Sequence, residues 1–286
     1  MLEREEYIEQ AHLFRTLAER IADNVPMQDL LAYARQEILS TTRLPLAIDF
    51  LLSELRHTGM MNSAMARLPH YFTPFQTYVM REAEAERGRF DLRIAIHILR
   101  HEAEYRAKSP APQGLFLFHF ECLCRNRLKY DPGLAAVAAD PLYDADWRQW
   151  IDELRTRIGM VDFADMIYVR SQFNLVHRTR PNEPPPVAEK PVLFGEKEGQ
   201  IAWANRRKDP LYLFAALQRH LGYPVVPRPK RPDESVNLLP LLNLRVERLE
   251  ARLKLLEEEG KGGIDLRKLY GQSDRPLPNV PPPDDL

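Results

Sequence analysis

"DLRIAIHILRHEAEYRAK", residues 91–108, is the stretch that decides the fold of this chain. At about 100° per residue, Phe90, Ile94, Ile98 and Tyr105 line up as one apolar stripe, and Leu92, Ile96, Leu99 and Ala103 as another. A helix with apolar residues on two sides must be covered on two sides, which puts it inside a helical bundle and not on its rim. Neighbouring segments carry apolar residues at three- and four-residue spacing over 2–22, 27–40, 46–57, 74–87, 115–128, 144–158 and 161–173. That spacing predicts roughly six to eight helices in the first 175 residues.

The predicted ends have chemical reasons. Thr73-Pro74 supplies a capping hydroxyl followed by a proline at the first helical position, and Asp144 or Asp146 can cap the helix that carries Trp147 and Trp150. "HTG" at 57–59 and Gly159 offer left-handed stops, with His57 placed where the helix end is negative. The run "GLFLFHFECLC", 114–124, is the ambiguous one, because its aromatic alternation also fits a strand. A single strand among helices would have no pairing partner, so a helix is expected there.

Beyond this bundle, residues 1–178, the chain changes character. Residues 179–194 contain Pro184-Pro185-Pro186 and read as a linker or strap. Residues 195–222 predict a small helical appendix, with Asp209-Pro210 opening its second helix and Gly222 closing it. A second linker, 223–237, leads to a coiled coil over 238–259, and residues 260–286, rich in Gly, Pro and Asp, are expected to be a disordered tail. The fold class is therefore all-α: a multi-helix bundle with a short C-terminal parallel coiled coil.

The coiled-coil expectation rests on "LPLLNLRVERLEARLKLL", 239–256. Leu239, Val246 and Leu253 occupy a positions and Leu242, Leu249 and Leu256 d positions, so the spacing alternates three and four. In a parallel pair Arg245 and Arg252, at g, meet Glu250 and Glu257, at the following e positions of the other helix. An antiparallel pair would set arginine against arginine and glutamate against glutamate, so the charges select parallel self-association, with a homodimer as the expected product. Three heptads are few, and the bland reading is an amphipathic helix folded back on its own bundle.

The 286 residues carry 40 basic and 41 acidic side chains, a balance without the basic surplus of a nucleic-acid binder, and none is expected as a partner. The charged start "MLEREEYIEQ" and the lack of an apolar run of ~18 residues predict no membrane association and a cytoplasmic location. Cys122 and Cys124, two apart, have neither zinc-ligand nor redox-motif spacing and read as reduced core residues.

One catalytic constellation stands out. His97, His101 and Glu104 share a helix face, and Glu82 and Glu86 on the preceding helix could add carboxylates, a set suited to zinc or iron. Glu9/His12 and Glu54/His57 repeat a Glu-x-x-His spacing, which chance alone would supply about once in this composition. Against a metal, Arg93 and Arg100 lie in the same polar arc, and two fixed cations disfavour a dication. The zinc-protease order His-Glu-x-x-His is absent, as are phosphate-cradling, nucleophile-elbow and dinucleotide glycine motifs. The expected function is thus a non-enzymatic helical scaffold or adaptor, without a cofactor, which self-associates and binds another protein. The polyproline runs at 184–186 and 281–283 are candidate ligands for such a partner. The alternative is a metal-dependent helical enzyme using the His/Glu set.

Overall fold

The computed structural model describes residues 2–21, 25–85, 90–178 and 190–229, together with Val246, Leu249, Glu250 and Leu253. The chain divides into two units, Met1–Pro229 and Lys230–Leu286. Among the described residues thirteen helices form and no strand does; two isolated β-bridges are the only extended pairing. None of these helices is long and apolar enough to cross a membrane.

The first unit is built as α1 (Arg4–Arg20), α2 (Met27–Glu37), α3 (Leu44–Thr58), α4 (Met61–Arg67), α5 (Pro74–Ala83), α6 (Leu92–Arg106) and α7 (Pro112–Arg125). It continues with α8 (Tyr130–Ala138), α9 (Ala145–Arg157), α10 (Phe163–Val169), α11 (Gln172–Arg178), α12 (Glu196–Ala204) and α13 (Pro210–Leu221). Helix α6 packs between α1, α5 and α7, and both of its apolar stripes are covered, as its periodicity requires. Several ends follow the sequence signals. Thr73 and Gln76 form a reciprocal capping box at α5, Asp144 accepts from the amide of Trp147 at α9, and Gly59 ends α3 with φ of +72°.

The ambiguous run 114–124 is helical, and it is the most enclosed element of the unit. From Gly114 to Leu123 every residue of α7 is buried, which is why no period shows: a helix covered all round has no polar face to mark its phase. Gly114 makes room for the end of α6, since a Cβ there would stand 2.2 Å from the Tyr105 hydroxyl. Aromatic rings from distant segments close over it. Phe116 meets Trp150 edge-on at 4.9 Å, and Phe194 stands against Trp147 and Trp150 at 5.3 and 5.2 Å.

Three sequence expectations need correction. Two short helices, α4 and α8, were not anticipated; each has fewer than three turns, too short for periodicity to register. The span 161–173 is broken at Arg170–Ser171, where the Arg170 carbonyl accepts from the amides of Leu193 and Phe194 and the chain pairs with the segment following the proline-rich stretch. Residues 223–229 are not a free linker. Tyr223 and Val226 are buried, and the Asn126 side chain donates to the Pro227 carbonyl at 3.0 Å, so this segment lies as a strap over α6 and α7. The appendix helices pack on the same unit, α13 against α7 and α12 against α10 and α11.

Candidate functional site

Helix α6 presents two polar sets on opposite sides. On its outer side, Glu104 is shared between two arginines, Arg15 of α1 at 3.0 Å and Arg100 at 2.9 Å. Those contacts lower its carboxyl against the opposing push of burial. His101 donates Nδ1–H to the Val225 carbonyl at 3.1 Å, the only role a ring nitrogen can take toward a carbonyl. Burial pulls both His97 and His101 below the ordinary imidazole range, with Arg100 adding to the effect. Glu82 faces Lys129 at 3.5 Å, and Glu86 lies outside the described residues. Among the described residues no group of three or more His, Cys, Asp or Glu is placed to hold a metal ion. The two Glu-x-x-His pairs are likewise engaged elsewhere: Glu9 accepts from the Leu39 amide, and Glu54 pairs with Arg67.

On the inner side, sequence reasoning missed a denser group. Glu102 is fully buried, and its Oε1 accepts from Arg106 Nε at 2.9 Å, Arg106 Nη2 at 2.8 Å and His119 Nε2 at 3.0 Å. Arg106 Nη2 also donates to Asp140, itself buried at the end of α8. The His119 ring stacks on Phe75 with centroids 3.9 Å apart. Burial alone would raise the Glu102 carboxyl, but Arg106 and His119 outweigh it and hold its pKa at about 2. The Arg106 guanidinium keeps its proton for the complementary reason: burial acts to lower it, and Glu102 and Asp140 prevail. Three buried polar atoms beside this network have no hydrogen-bond partner among the described residues: Glu102 Oε2, His119 Nδ1 and the Tyr143 hydroxyl. The signal for the network was in the sequence. Glu102 and Arg106 continue the apolar stripe of Ile98 and Leu99 instead of the polar arc, and His119 interrupts an apolar run that has no polar face.

The cysteines behave as core residues. Burial pushes the Cys122 thiol well up and Cys124 to about 11, too high for a nucleophilic thiolate at neutral pH.

In the second unit, Val246, Leu249, Glu250 and Leu253 are helical and exposed, the three apolar side chains at 49%, 55% and 59% of full accessibility. Leu239, Leu242, Arg245, Arg252, Leu256 and Glu257 lie outside the described residues, as do the proline-rich stretch 179–189 and the tail 260–286. No protein-family model, curated protein or solved structure matches the chain.

Proposed function

We propose that the chain is an interaction protein, a helical body displayed in two copies by parallel self-association of residues 238–259. The observation that carries this reading is the heptad seam, whose described members Val246, Leu249 and Leu253 share a helical conformation and expose apolar surface. Moving such side chains from water into an interface contributes of order 1 kcal/mol each, enough in sum to hold a short dimer when folded bodies are attached. The g and e charges, Arg245 and Arg252 against Glu250 and Glu257, supply the orientation. Two tethered bodies gain avidity for a repeated or dimeric protein partner without any chemistry of their own.

Sedimentation equilibrium of the full chain tests this. The reading expects a mass of twice 33.3 kDa that falls to the single-chain value in Leu249→Asp, with the helical circular dichroism of the body unchanged. A wild-type chain that sediments as a monomer at every concentration overturns it.

A further inference from the structure

Where the start of α1, the end of α6 and the start of α7 meet, the first unit has a cavity of about 150 Å³ whose lining includes Arg106. An apolar cavity of the same size accepts benzene, so the space suits a molecule of under about ten non-hydrogen atoms. Its polar side is formed by Arg106, Arg4, Tyr7 and Ser109, and Leu115 and Leu142 belong to its apolar wall. Arg106 is buried and spends Nε and Nη2 on Glu102 and Asp140, whereas Nη1 has no hydrogen-bond partner among the described residues. Arg106 therefore gives the lining a permanently charged donor whose orientation is set by two buried carboxylates. Asp140 also accepts from the Leu142 amide at 2.9 Å, so the same carboxylate that orients the guanidinium anchors part of the wall.

We propose that this cavity binds a small monocarboxylate with a compact apolar body, its carboxylate against Arg106 Nη1 and the exposed Arg4, its body against Leu115 and Leu142. The charged groups that line the cavity favour an anion at this position. The two guanidinium groups line the cavity, while Glu102 and Asp140 do not and stand behind Arg106. At contact distance the nearer cations dominate the interaction, because Coulomb energy falls with separation. Arg106 is here a positioning and binding residue, and no reaction is assigned to it.

The test is a titration of the full chain with benzoate, followed by protein NMR shifts, with benzyl alcohol as the neutral isostere. Benzoate is expected to give a saturable one-site response that benzyl alcohol does not reproduce. Arg4→Gln, a change at an exposed position that leaves the core intact, should weaken benzoate about fivefold, and Leu142→Phe, which fills the cavity, should abolish the response. A response that does not saturate, equal binding of the neutral isostere, or benzoate affinity unchanged in Arg4→Gln would each overturn the proposal.

Discussion

The apolar residues of α6 and α7 and those at 246, 249 and 253 all lie in helical conformation and end in opposite environments. Leu99, Leu115 and Leu117 are fully buried by other helices of their own unit, while Leu249 and Leu253 stay more than half exposed. The first group has its complement within the unit, so its contribution to stability is already realised in the folded chain. The second group has apolar surface still to bury, and its three-four spacing is the basis of the proposed pairing with a like helix. Periodicity alone does not distinguish the two cases. What distinguishes them is the flanking chemistry: α7 carries its one charged pair, Glu121 with Arg125, at its C-terminal end, whereas the seam sequence is bordered by arginine and glutamate along its length.

The contrast can be broken from the interior side by removing a buried charge. Glu102→Ala leaves Arg106 and His119 without their shared acceptor, and breaking such a buried set typically costs ~3–5 kcal/mol. Urea unfolding should show a loss of that size, and a loss under ~1 kcal/mol would mean the network contributes little. Acid gives a second route to the same group. Because the folded pKa of Glu102 is depressed from 4.5 to about 2, its contribution is fully present above the unfolded value and fades as pH falls from 4.5 toward 2. The shift corresponds to about 3 kcal/mol by linkage, and Glu102→Gln should flatten that part of the stability profile. His97 and His101, also depressed, act in a separate window: their contribution is present above the unfolded value of 6.5 and declines below it.

The seam is sharpened by charge. Arg245→Glu combined with Arg252→Glu would set glutamate against Glu250 and Glu257 and should weaken self-association about tenfold, with Glu250→Arg and Glu257→Arg together restoring it. The smallest effect belongs to the outer polar strip. Glu104→Gln should change stability by less than ~1 kcal/mol, because Arg15 and Arg100 are partly exposed and their contacts are screened by water and salt.

Most helix positions and several caps were legible in the sequence because they depend on local chemistry: Thr73 with Pro74, Asp144, Gly59 and Gly222 act within one turn of themselves. The two-sided burial of α6 was legible from its paired stripes. What could not be read was which partners from other segments the tertiary fold would bring to Glu102 and Arg106. His97, His101 and Glu104 attracted notice by their spacing, yet they form the outer strip of α6. Glu102 and Arg106, one and two residues away from members of that set, are the buried ones, and their partners His119 and Asp140 come from other segments. Such a network depends on how α6, α7 and the end of α8 meet, and no spacing within a single helix encodes that. The strap 223–229 escaped for a similar reason. Its prolines signal extended chain, but only the packed fold offers Glu121 to the Tyr223 hydroxyl, 2.7 Å away, and the Asn126 amide to the Pro227 carbonyl.

The most direct test of parallel self-association is a disulfide at one end of the seam. In Leu256→Cys, a parallel in-register pair brings the two sulfurs together, whereas an antiparallel pair sets residue 256 opposite 239, about 25 Å from its counterpart and far beyond disulfide reach. Mild oxidation of the full chain should convert it to a covalent dimer on a non-reducing gel, with the unsubstituted chain, whose Cys122 and Cys124 are buried or partly so, remaining a single chain. A Leu256→Cys protein that stays a single chain under the same oxidation would contradict the account.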